Sequence, residues 1–231
     1  MDDLAHAMMA RARPTRDRPL AGLTILLVED SRFASEAVRL LCLRSGARLR
    51  RADCVAAAGR HLAAYRPDVA IVDLGLPDGS GAALIADLAA QEAPPVLLGL
   101  SGGDPAESAA QARRAGARGF LAKPVASLAS FQQAVLALLP AERRPSGLGS
   151  LPADRVAPDR LALAEDYARA ESLLADDPGF AAGFVAALAR DADDMDLLAA
   201  ALAAAATNDA PAARDRLRGA LATRRAGSGS L

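Results

Sequence analysis

The chain has 231 residues, a formal net charge of -1 and 52% hydrophobic residues, with only 3% aromatics and no tryptophan. That length holds one large domain or two small ones, and the near-neutral charge gives no global attraction to nucleic acid or to anionic membranes. No apolar run approaches the ~18 residues of a membrane span. Residues 1–20 begin acidic, turn arginine-rich and lack the apolar core of a secretory signal, so they are expected to form a mobile arm on a cytoplasmic protein.

From residue 21 to 139, short apolar runs alternate with helix-length amphipathic segments. Strands are predicted at 23–28, 47–51, 69–72, 96–100 and 118–121, and helices at 32–44, 53–64, 80–91, 105–115 and 127–139. That alternation predicts an α/β fold, a five-stranded parallel sheet covered by helices on both faces. The second run, Ala47-Arg48-Leu49-Arg50-Arg51, alternates in polarity and suits an edge. Ser31, Asp53, Asp104-Pro105 and Ser127 read as helix starts, and Gly46 and Gly116 as helix ends.

Residues 140–158 are dense in proline, glycine and serine and read as a linker. Beyond them the pattern is purely helical and rich in alanine and leucine. A small all-α domain is predicted over 159–225, with helices near 159–175, 178–190, 191–206 and 210–224, and a disordered tail over 226–231. Such a small core is expected to pack on the first domain or on a second copy of the chain. Cys42 and Cys54 read as reduced cysteines, and His6 and His61 have no partners at metal-ligand spacing.

Lys123 is the single lysine in the chain, and it stands before Pro124 at the end of the fifth strand. A lysine is a compact point charge, whereas the arginines that fill every other basic position are planar forks. In an open parallel sheet, ligands gather outside the carboxyl ends of the strands. The first strand delivers Glu29 and Asp30 to that edge, the third Asp73, the fourth Ser101 and the fifth Lys123. Three carboxylates beside one ammonium call for a hard cation, and Mg²⁺ suits one or two carboxylates, several waters and a phosphate. Asp73 can then attack phosphorus to give an acyl phosphate, while Mg²⁺ and Lys123 neutralise the phosphoryl oxygens. Ser101 and the unobstructed backbone of Gly102 would contact the phosphoryl group, and Gly75 would offer a backbone carbonyl to the metal.

The segments Leu26-Leu-Val-Glu29-Asp30-Ser31, Asp68-Val-Ala-Ile-Val-Asp73-Leu-Gly-Leu-Pro77, Gly99-Leu-Ser101-Gly and Phe120-Leu-Ala-Lys123-Pro124 resemble the receiver domain of bacterial response regulators. The resemblance implies a flavodoxin-like fold over 21–139 and phosphorylation of Asp73 by a histidine kinase or a histidine phosphotransfer protein. It also implies Mg²⁺ at Glu29, Asp30 and Asp73, phosphoryl contacts from Ser101 and Lys123, and a switch in which Ser101 and Phe120 move on activation. Chemistry beyond self-phosphorylation and autodephosphorylation is not expected, so the chain is read as a signalling protein rather than an enzyme. Glu29 stands where aspartate is commoner, and Gly75 where a bulkier residue is frequent.

The helical region more weakly resembles a histidine phosphotransfer domain, through Leu173 to Phe180, Phe184 to Leu188 and Leu217-Arg218-Gly219. Asp215 stands where the histidine would be, and no histidine follows His61, so this region cannot carry phosphate on histidine. The expected output is therefore protein contact with an unknown target. A DNA-binding transcriptional regulator and a phosphate sink or shuttle are the alternatives.

Overall fold

The computed structural model describes residues 13–125, 127–144, 160–206 and 211–228. Five parallel strands form one sheet: β1 (Thr24–Val28), β2 (Arg48–Ala52), β3 (Val69–Asp73), β4 (Val96–Ser101) and β5 (Gly119–Ala122), in the order β2-β1-β3-β4-β5. The helices between and after them are α1 (Arg32–Ser45), α2 (Val55–Ala64), α3 (Gly81–Ala89), α4 (Pro105–Arg114) and α5 (Leu128–Leu136). Strand side chains alternate between faces, so each strand feeds two cores. Ile25, Leu27, Ile71, Leu98 and Leu100 pack with α1 and α5, while Leu26, Val28, Ala70, Val72 and Leu97 pack under α2, α3 and α4. The expected five-stranded α/β architecture is present, with the alternating strand β2 at one edge.

Local signals act largely as expected. The Ser31, Asp104 and Ser127 side chains accept from backbone N–H groups of their first turns, and Gly46 closes α1 at φ 82°, where a side chain is strained. Asp53 does not cap α2. Cys54 does so weakly, and Asp78, from the loop after Asp73, accepts from Val55 N–H at 2.7 Å and Ala56 N–H at 2.9 Å. That bond ties the loop beyond Asp73 to a neighbouring helix, a link made across 23 residues of sequence.

Order begins earlier than the predicted boundary at residue 21. Leu20 is fully buried in the sheet core and its N–H donates to the Ser45 carbonyl, so the last residue of the expected arm packs with the sheet domain. Residues 1–12 lie outside the described residues, as do 145–158 of the predicted linker, residue 159 and 229–231 of the predicted tail. At the start of that linker, Ala141–Arg143 form a 3-10 turn, and Arg143 pairs with Asp68 at 2.8 Å. Cys42 and Cys54 are free, and burial pushes the Cys42 thiol up to about 12.

Four further helices lie among the described residues: α6 (Arg160–Asp176), α7 (Pro178–Asp191), α8 (Met195–Ala206) and α9 (Pro211–Ser228). The third of them was expected from 191. It starts at Met195 because Asp193 adopts φ 57° and Asp194 accepts from Leu197 N–H, ending one helix and opening the next. The last was expected to stop at 224, with a disordered tail from 226, but it runs to Ser228. Tyr167, Leu174, Val185, Leu188, Leu197 and Leu217 fill the bundle core, and Arg224 clamps Asp194 at 2.8 Å. One member of this core comes from elsewhere. Phe33, on α1, inserts among the bundle residues.

Candidate phosphoacceptor site

Each strand ends where the sheet edge needs a charge. Val28 and Val72 are fully buried and hydrogen-bonded into register, so the chain leaving them presents Glu29-Asp30 and Asp73 side by side. Strands β4 and β5 bring Ser101 and Lys123 to the same edge, with Lys123 N–H donating to the Ser101 carbonyl at 2.9 Å. The peptide between Lys123 and Pro124 is cis.

Lys123 is the hub. Its Nζ lies 2.6 Å from Glu29 Oε2 and 2.7 Å from Asp73 Oδ2, and all three residues are buried. The other Asp73 oxygen, Oδ1, accepts from Gly75 N–H at 3.2 Å. The other Glu29 oxygen, Oε1, accepts from Ser31 N–H at 2.9 Å. One carboxylate oxygen from each of Glu29, Asp30 and Asp73 lies within 4.8 Å of the others. Glu29, Asp30, Asp73, Gly75, Ser101, Gly102 and Lys123 all line a single cavity of about 380 Å³. The structure therefore assembles every polar position expected at the sheet edge in one place.

Ser101 is placed at the cavity but turned toward α4. Its hydroxyl oxygen accepts from Gly103 N–H at 3.1 Å and lies 3.2 Å from the Ser108 hydroxyl. Phe120 is half-buried in the core beneath α2, α3 and α4 and does not line the cavity. Asp215, at the position predicted for a lost histidine, is exposed on α9, pairs with Arg218 and does not line the cavity either. The bundle helices that do face it are α7 and, through Leu202 and Ala205, α8.

Burial makes this site costly without a divalent cation. Burial raises the Glu29 carboxyl well above its ordinary value, against the pull of Lys123. Asp30 is raised to about 6, first by burial, while Arg169 and Lys123 pull it down. The donor set fits Mg²⁺. It consists of hard oxygens, and Asp30 Oδ2 is buried with no well-directed hydrogen bond, the Arg169 guanidinium standing 3.4 Å away. Because Asp30 titrates higher folded than unfolded, its contribution favours the folded state at acid pH and is lost as pH rises through about 6. Asp30→Asn should therefore stabilise the metal-free protein at pH 7 by roughly 1–3 kcal/mol, a gain that shrinks toward pH 4. Urea midpoints in a chelating buffer at the two pH values check this.

Sequence reading missed three residues that shape the site. Gly81, the first residue of α3, lies so close to the acceptor strand that an added Cβ would sit 1.7 Å from the Asp73 carbonyl oxygen. Asp166 and Arg169, both on α6, reach the site from the helical region. Asp166 accepts from the Ser31 hydroxyl and the Phe33 N–H at 2.8 Å each. Arg169 donates to the Asp30 carbonyl and lies 3.4 Å from Asp30 Oδ2.

A doubly wound five-stranded sheet with three acids and a lysine at its carboxyl edge is the arrangement of a receiver domain. The family model described as "Response regulator receiver domain" matches residues 25–135, and this part of the chain is a receiver domain of two-component signalling. The chain is 35% identical over 100 residues to the KDP operon transcriptional regulatory protein KdpE of Escherichia coli, covering 43% of this chain and 44% of that protein. The match thus spans less than half the length of that relative. Among solved structures, a putative response regulator from Chloroflexus aurantiacus is similar at 27% identity and a TM-score of 0.43, covering 44% of this chain and 85% of that one. A CheY-like receiver domain from Methylobacillus flagellatus is similar at 25% identity and a TM-score of 0.46, covering 51% and 98%. No helix among the described residues is long and apolar enough to cross a membrane.

Proposed function

We propose that this protein is a phosphoacceptor response regulator of the cytoplasm, in which Asp73 takes a phosphoryl group from the phosphohistidine of a histidine kinase or phosphotransfer protein. A carboxylate oxygen of Asp73 attacks phosphorus, the bond from phosphorus to the imidazole nitrogen breaks, and an acyl phosphate remains on Asp73. The observation that carries this reading is the buried ion pair of Lys123 with both Glu29 and Asp73. A single mobile ammonium, held against the acceptor and able to turn to the incoming oxygens, is suited to charge that develops during transfer.

Glu29, Asp30 and Asp73, with the Gly75 carbonyl, would hold Mg²⁺, which when bound neutralises phosphoryl charge. Gly102 keeps its backbone N–H clear of any side chain of its own. Ser101 would exchange its present partners, Gly103 N–H and the Ser108 hydroxyl, for a phosphoryl oxygen, and Phe120 would repack beside Gly99, which it already approaches at 3.5 Å from that residue's built Cβ. The protein acts by contact rather than by turnover of a substrate, with the helical bundle as its output.

Incubation with acetyl phosphate and Mg²⁺, followed by intact-protein mass spectrometry, tests this. The wild type should gain one phosphate and Asp73→Asn none, with unchanged circular dichroism. Equal labelling of the variant would move the acceptor elsewhere, and no labelling of either would remove the phosphoacceptor role.

A further inference from the structure

Asp166 is a fully buried carboxylate whose hydrogen bonds all leave its own bundle. Its Oδ1 accepts from Arg32 N–H at 2.9 Å, and its Oδ2 from the Ser31 hydroxyl and the Phe33 N–H. Helix α1 has no acidic residue in its first turn. A helix N-terminus attracts a carboxylate, and Asp166 supplies one from 135 positions along the chain from Ser31. One turn further along α6, Arg169 rests its guanidinium 5.5 Å from the centre of the Phe184 ring and points it at Asp30. Phe33 anchors the same junction by joining the bundle core. These contacts place α7 directly over the acceptor cavity, where Ala187 Cβ would lie 3.4 Å from a Cβ built on Gly102.

What α7 presents there is small and apolar apart from one guanidinium, and it carries no phosphodonor group. Gly183, Ala186 and Ala187 line the cavity beside Arg190, and no histidine follows His61 in the chain. About 380 Å³ remains beneath them. That space admits a hydrated ion or a small acyl phosphate. It does not admit a histidine carried on another protein's helix, which is itself about 10 Å across.

We propose that the C-terminal bundle is a built-in gate on the phosphoacceptor site. Docked, α7 fills the approach a protein phosphodonor needs, and Arg169 competes with a divalent cation for Asp30. Because coupling between sites is reciprocal, cation or phosphoryl binding at Asp73 loosens the bundle, and loosening the bundle opens the site. Release would expose Phe33 and the inner face of α7 to a protein partner, which makes undocking the output step. The inference rests on the reading of Asp73 as acceptor.

Asp166→Ala in the full chain is the decisive variant. Electrostatics alone would make the loss of a negative charge weaken cation binding, so a gain in affinity reports undocking. Arg169→Ala should move the same way, while Arg218→Ala, on an exposed pair with Asp215, serves as the control. With Mn²⁺ as probe, followed by electron paramagnetic resonance, Asp166→Ala and Arg169→Ala should bind at least about 5-fold tighter than wild type. Both should also take phosphate from acetyl phosphate at least about 5-fold faster. In the wild type, saturating Mg²⁺ with beryllofluoride should speed hydrogen exchange in α6 and α7. Wild-type affinity and rate in Asp166→Ala, with α6 and α7 exchange unmoved, would overturn the gate and leave the acceptor reading intact. Tighter Mn²⁺ binding and faster exchange, without phosphate on any variant, would show that the bundle undocks from a cation site but would overturn the acceptor reading, and with it a gate on phosphotransfer. Weaker Mn²⁺ binding in both variants would make Asp166 and Arg169 positioning residues for Asp30 and would also overturn the gate.

Discussion

Lys123→Met should lose phosphate acceptance by about 10²–10³-fold, the scale seen when one preorganised charge-stabilising donor is removed from a reaction centre. The same change should destabilise the metal-free protein at neutral pH by about 3–5 kcal/mol, because it strips a buried cation from Glu29 and Asp73 and leaves their carboxylates uncompensated. Two features identify the cause as charge rather than lost packing. Acidification should restore part of the stability as the buried Glu29 carboxylate protonates, and Mg²⁺ should restore part of it at pH 7. Lys123→Arg should also fail, since a rigid planar fork cannot replace a point donor lying 2.6 and 2.7 Å from two buried oxygens. Urea titrations at pH 5 and 7, with and without Mg²⁺, and the labelling rate with acetyl phosphate check all of this. A variant as stable as wild type at pH 7 without metal would contradict the account.

Gly81→Ala should be nearly as damaging through a different route. The new methyl group would sit 1.7 Å from the Asp73 carbonyl oxygen and 2.9 Å from Leu74 Cα, contacts that backbone cannot relieve without moving the acceptor itself. A loss of about 3 kcal/mol or more is expected, the size of severe overpacking, together with slowed phosphate acceptance. Gly75→Ala, two residues beyond the acceptor, is the matched comparison. Nothing lies within 4 Å of its built Cβ, so its stability should stay within about 0.5 kcal/mol of wild type. Chemical denaturation of the two variants side by side separates a steric demand for glycine from a general preference for it in the loop.

The sheet and its charged edge were legible because both are written locally. Apolar runs of strand length, each followed by an acid, a serine or a lysine, give the order of elements and the residues that meet at their ends. The helical starts at Ser31, Asp104 and Ser127 were legible for the same reason, since a capping side chain acts within three residues. The contacts of Asp166 and Arg169 were not. They lie three positions apart on an ordinary amphipathic helix, and their partners are backbone groups, a serine hydroxyl and a carboxylate more than a hundred residues earlier. One clue was present, in a helix α1 that opens on Arg32 without an acid in its first turn. Nothing local in the sequence says that Phe33 belongs to the core of the helical bundle. Gly81 fell inside the predicted helix over 80–91 with nothing local to mark it, because the collision it avoids depends on how α3 folds back over β3.

The shared ownership of Phe33 bears on how this molecule could be rebuilt from parts. A fusion that kept the sheet and its five helices but exchanged the last four for another module would begin α1 with Arg32 and Phe33 amides facing water in place of a carboxylate, and with a phenyl ring lacking its socket. The transplantable unit is therefore larger than the sheet domain. Any substitute module would have to bring its own acid and its own hollow to the first turn of α1.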